Sequence, residues 1–116
     1  MKENIIADRS FDFALDVINL CEELYAVHRF ALADQLLRSG TSIGANVEEA
    51  SAAQSRKDFI SKMAIASKEA RESRYWLRLL QAHKTMNRDY ASYMQKIDEI
   101  VSILTAIVKT SSSGLK

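Results

Sequence analysis

Arg38-Ser39-Gly40-Thr41-Ser42-Ile43-Gly44-Ala45-Asn46-Val47-Glu48-Glu49-Ala50 sets two glycines and a run of small residues inside an otherwise helical pattern. Leu36, Gly40, Ile43, Val47, Ala50 and Gln54 alternate steps of four and three, so the apolar register passes through the glycines unbroken. A glycine in a helix interior costs roughly 1 kcal/mol relative to alanine. Two in one helix call for a compensating gain. Close approach of a second helix supplies it, because a surface without Cβ atoms lets two backbones come nearer than leucine would. At about 100° per residue, Ala33, Gly40, Gly44 and Ser51 form a narrow seam of small side chains beside the stripe, with Ser42, Asn46 and Glu49 on the other side. A loop at Ser39–Ser42 would divide the segment, and the unbroken period argues against it. The stretch therefore predicts a helical bundle packed around a small-residue seam.

Working outward, this helix covers about Ala31 to Ala53. A preceding helix starts near Asp8 or Ser10, either of which can cap, and runs to about Val27. Phe11, Ala14, Ile18, Cys21, Tyr25 and His28, joined by Val17 and Leu24, form its expected core face. On the far side, Ser55 is a plausible N-cap with Asp58 three residues on, opening a third helix to about Ala82. Its core stripe is Phe59, Met63, Ala66, Ala70, Ser73, Leu77 and Leu80. A second, weaker apolar line of Ile65, Trp76 and Leu79 lies a quarter to a third of a turn away. One stripe serves a monomeric bundle, so this second line points to an oligomer contact. A fourth helix, about Arg88 to Lys109, turns Tyr90, Tyr93, Met94, Ile97, Ile100, Val101, Leu104, Ile107 and Val108 inward. Residues 1–7 and 111–116 are expected to be flexible ends. Four long helices with short connections make an all-α, antiparallel up-down-up-down four-helix bundle.

Composition agrees. The 116 residues hold no proline and three glycines, with 47% hydrophobic and 27% charged residues, which suits one all-α domain. A net charge of +1 confines any nucleic-acid site to a local patch. The lone Cys21 excludes an intramolecular disulfide and suits a small buried hydrophobe in a reducing cytoplasm. The first nine residues lack the apolar run of a signal peptide, and no stretch approaches the ~20 apolar residues of a membrane span.

Catalytic chemistry finds no foothold. A di-iron bundle site needs Glu-x-x-His pairs, and neither His28 nor His83 follows a glutamate by three. No metal, cofactor or catalytic residue is assigned. No glycine elbow surrounds a serine, and neither a phosphate loop nor a dinucleotide fingerprint is present. Glu48, Glu49, Glu69 and Glu72 read as a solvated or salt-bridged face, with Asn46 and Glu49 hydrogen-bonding to neighbouring helices. Charge on the third helix is segregated: Arg56, Lys57, Lys68, Arg71, Arg74 and Arg78 project within an arc of about 120°, with Asp58, Glu69 and Glu72 on the opposite flank. The flanks either pair with neighbouring helices or select a partner, such as the next subunit or a phosphate backbone.

Gln35 to Ala50, with Ser55-Arg56-Lys57-Asp58-Phe59-Ile60-Ser61-Lys62-Met63-Ala64-Ile65-Ala66 and Lys68 to Leu80, resembles a bacterial family of four-helix bundle proteins. These were first noticed as reading frames in intervening sequences of 23S rRNA genes and are sometimes labelled S23 ribosomal proteins. The resemblance covers helices 2 and 3 by motif, and helices 1 and 4 by pattern. It implies a cytoplasmic bundle assembling as a ring, commonly a homopentamer. It also implies kinship with the accessory variability determinant of diversity-generating retroelements, a basic pentamer that binds nucleic acid and a reverse transcriptase. This chain departs from that relative in being nearly neutral. The function expected is a non-enzymatic oligomeric adaptor with a basic flank for RNA, DNA or a nucleic-acid enzyme. The alternative is a structural or protein-binding oligomer.

Overall fold

A computed structural model describes residues 2–113. Four helices follow one another: α1 (Lys2–Ala26), α2 (Phe30–Ser51), α3 (Arg56–His83) and α4 (Ala91–Ser113). α1 packs on α2 and α4, and α3 packs on the same two, while among the described residues the backbones of the diagonal pairs stay apart. The result is an antiparallel bundle measuring 49 × 20 × 20 Å. α2 is continuous through Ser39–Ser42, as the period requires. Ser55 caps α3, its hydroxyl accepting the Asp58 backbone N–H at 3.0 Å.

Two helix ends escaped the usual stop signals. α1 closes with the His28 N–H on the Tyr25 carbonyl and the Arg29 N–H on the Leu24 carbonyl, and His28 takes a left-handed φ of 62°. α3 closes similarly through Lys84, with φ of 56°. Glycine usually fills this position. Histidine and lysine carry no such mark in the sequence. α1 also begins well before Asp8, because Ile6 is fully buried and the Ser10 hydroxyl donates back to the Ile6 carbonyl at 2.7 Å. Residues 2–7 and 111–113, expected as flexible ends, are helical; Met1 and residues 114–116 lie outside the described residues.

The core face of α1 is a correction. Ile6, Ser10, Phe13, Val17, Leu20 and Leu24 point inward with Cys21 beside them, whereas Phe11 is 62% exposed and Ile18 and Tyr25 about 40%. His28 is exposed in the turn. α1 carries two apolar stripes at heptad spacing, and period alone cannot choose between them. Packing chooses. Val17 fits the hollow left by Gly40, where a Cβ would stand 2.9 Å from both Val17 methyls. The stripes of α2 and α3 are buried as expected, except that Phe59 is partly buried and Gln54 is exposed. On α4, Tyr90, Tyr93, Ile97, Ile100, Val101, Leu104 and Ile107 are buried, with Met94 and Val108 partly so.

The four seam residues have different roles. Ala33 and Gly40 are buried, Gly44 is partly buried and Ser51 is exposed. Gly40 is the close approach. A Cβ at Gly44 would meet Ser10 at 3.5–3.7 Å, which is ordinary contact. Polar atoms in this layer are satisfied: the Ser39 and Ser73 hydroxyls meet at 2.9 Å across α2 and α3, and Ser73 also reaches the Glu69 carbonyl at 2.9 Å.

Candidate functional site

α3 places its charged flanks against its two neighbours. On the acidic flank, Glu69 is 8% exposed, and the Arg38 guanidinium of α2 donates to it at 3.1 Å. Arg38 also pairs with Glu72, which in turn accepts from the Trp76 indole N–H at 3.0 Å. Nearby, Lys62 meets Glu49 at 2.8 Å. Asn46 donates to the Ser42 carbonyl of its own helix rather than to a neighbour.

The basic arc divides. Arg74 lies 3.6 Å from Asp98, Arg71 donates to the Thr105 hydroxyl at 2.9 Å, and Arg56 donates to the Ser111 carbonyl at 3.3 Å, all on α4. Lys57, Lys68 and Arg78 are exposed and carry no ion pair or side-chain hydrogen bond among the described residues. The arc is therefore half spent on holding α4 and half open to solvent. Surface pairs of this kind contribute only about 0–1 kcal/mol each.

Of the second apolar line on α3, Ile65 and Leu79 remain about 40% exposed, and Trp76 is partly buried beside Glu72. Tyr75, next to them, is 52% exposed. The stripe of α1 displaced from the core forms a second apolar surface, with Phe11, Leu15 and Ile18 all more than 40% exposed. Its end is fixed to α2 by the Tyr25 hydroxyl, which donates to Asp34. Phe11, Ile18 and Tyr25, expected on the core face of the first helix, thus lie on its outer face, together with Leu15. The signal was present in the repeat Phe11, Leu15, Ile18, Glu22, Tyr25, which steps four, three, four, three. The outer face of α4, by contrast, presents Gln95, Asp98, Ser102, Thr105 and Lys109.

Among the described residues, no three His, Cys, Asp or Glu side chains gather to hold a metal, and no helix is long and apolar enough to cross a membrane. Cys21 is buried, its thiol donating to the Ala33 carbonyl at 3.3 Å, and burial followed by nearby Asp34 raises its pKa to about 11. A thiol so placed is a poor nucleophile.

The family model described as 23S rRNA-intervening sequence protein matches residues 2–106. The chain belongs to that family. A crystal structure of a protein of unknown function from the S23 ribosomal protein family of Bacteroides thetaiotaomicron VPI-5482 superposes with a TM-score of 0.88 at 46% identity. The match covers 94% of this chain and 99% of that one. No curated protein matches the chain. This member of the 23S rRNA-intervening sequence family thus shares its bundle with a relative whose own role is unassigned.

Proposed function

We propose that this protein is a non-enzymatic adaptor that works as a cytoplasmic homo-oligomeric ring, for which the family resemblance suggests five copies. The observation that carries this reading is the concentration of large exposed apolar side chains on the outer faces of α1 and α3, while that of α4 is polar. Contiguous apolar surface of this kind marks interaction sites in soluble proteins. The two faces belong to different corners of the bundle, so a contact between them is head-to-tail and closes into a ring if successive copies are rotated. Charged groups spent between helices, as at Arg38 and Glu69, support a scaffold rather than a reaction centre. Solution mass at micromolar concentration should exceed that of one chain. A monomer of 13.1 kDa would refute the proposal.

A second reading rests on the open half of the basic arc. Lys57, Lys68 and Arg78, repeated in every copy, give weak phosphate contacts that avidity strengthens. Binding of single-stranded RNA or duplex DNA should fall steeply with salt and disappear on Lys68→Glu with Arg78→Glu. Binding untouched by that reversal would remove this reading.

A further inference from the structure

We infer that the outer stripe of α1 is the surface on which a second copy of the chain docks, through the outer face of its α3. This inference rests on the homo-oligomer proposed above and names the two surfaces that meet.

The two faces match in chemistry. Around Phe11, Leu15 and Ile18, the exposed charges Asp8 and Glu22 are acidic and take no ion pair among the described residues. Around Tyr75, the exposed charges Lys68 and Arg78 are basic and likewise unpaired. Each bundle thus offers an apolar stripe with acids at one corner and an apolar patch with bases at the opposite corner. A face of one kind would repel its own copy and attract the other, so the contact is head-to-tail.

They also match in height. Val17 lies against Gly40, and the adjoining Ser39 hydroxyl meets Ser73, so Val17 and Ser73 stand at one level of the bundle. α1 and α3 run in the same direction, each being antiparallel to α2. Five residues further along, Glu22 stands level with Arg78. Ile18 comes level with Arg74, next to Tyr75, and Phe11 comes level with Ser67, beside the aliphatic stem of Lys68. Two bundles placed side by side without sliding therefore set Glu22 against Arg78 and bring Phe11 and Ile18 to the heights of the Lys68 stem and of Tyr75. The α1 stripe leans toward α2, where Tyr25 is tied to Asp34, so the docking faces are not diametrically opposed. Each added copy is turned relative to the last, which favours closure over a straight filament. Docking also covers Lys68 and Arg78, so this contact and phosphate binding through those two residues exclude one another, and Lys57 is left as the open cation of the arc.

The test uses the full chain, with mass measured across a dilution series and helicity followed in parallel. Wild type should be oligomeric. Phe11→Asp, which removes nothing from the core, should raise the concentration for half-assembly by at least about tenfold with the melting curve of the bundle retained. Glu22→Arg and Arg78→Glu alone should each weaken assembly by about tenfold, and together they should restore it. The double variant Glu22→Cys with Arg78→Cys should oxidise to a ladder of linked chains, since diagonal corners of one bundle cannot reach each other. Either single cysteine should give dimers at most. An oligomer indifferent to all these changes overturns the α1–α3 pairing and leaves the ring proposal standing. A wild-type monomer overturns both.

Discussion

Gly40 and Gly44 look alike in the sequence but should respond oppositely to alanine. Either substitution gains roughly 1 kcal/mol of helix propensity. At Gly44 the new methyl enters ordinary contact with Ser10 at 3.5–3.7 Å, so most of that gain should be kept. At Gly40 the methyl would stand 2.9 Å from both Val17 methyls and 3.2 Å from its Cβ, where about 3.5–4.0 Å is comfortable. Val17 cannot rotate clear, because its β-branched side chain holds one strongly preferred rotamer in a helix. α1 and α2 must move apart instead, an overpacking that costs about 1–3 kcal/mol. Gly40→Ala should therefore be net destabilising by about 1 kcal/mol, and the two variants should differ by about 2 kcal/mol, or roughly 8 °C in Tm. Thermal melts at one fixed chain concentration measure this, since assembly would make Tm depend on concentration. Val17→Ala should make Gly40→Ala harmless, giving a coupling energy that attributes the cost to this one contact. If Gly40→Ala stabilises as much as Gly44→Ala, the close approach is not what the glycine serves.

Three further expectations follow from separate parts of the bundle. Lys84→Gly should stabilise by about 0.5–1 kcal/mol in denaturant melts, because the left-handed φ of 56° suits glycine and strains lysine. Unchanged or lowered stability would contradict this. Arg38→Ala leaves the Glu69 carboxylate, 8% exposed, without its cation and should cost about 1–2 kcal/mol; Lys62→Ala, at a solvated pair, should cost clearly less. Cys21 should resist alkylation in the folded protein at pH 8 and react readily once denatured, as a buried thiol with its pKa raised to about 11 requires. Rapid labelling of the native chain would refute it.

Legibility followed how much choice each residue left. α2 and α3 each carry a single dominant stripe, so Leu36, Ile43 and Val47, and Met63, Ala66 and Leu77, fell on the core side as read. α1 offers two stripes of equal period. The true one includes Ser10, a polar residue that interrupts the apolar pattern and is accommodated because the Ile6 carbonyl accepts its proton where it packs beside Gly44 of α2. That pairing exists only once α1 meets α2. The turns at His28 and Lys84 were hidden for a similar reason, since the tertiary fold imposes a left-handed backbone on residues that do not advertise it. The basic arc was visible as a set, but its division was not. Which arginines reach α4 depends on Asp98, Thr105 and the Ser111 carbonyl being at the right height.

The contact between α1 and α4 bears on chain order. Arg9 pairs with Glu99 and Asp16 with Lys96, so the first and last helices are antiparallel neighbours, and Lys2 and Ser113 come to the same end of the bundle. The packing therefore treats α4–α1 as one more hairpin that lacks only its connecting segment. A short linker there would turn the molecule into a closed loop, which could then be cut at Ala52–Ser55 or at the strained His28 turn. A circular permutant opened at His28 would begin synthesis with α2, the helix bearing the glycines, and would complete α1 last. Comparing its folding rate with that of the parent would separate what packing dictates from what the order of synthesis dictates.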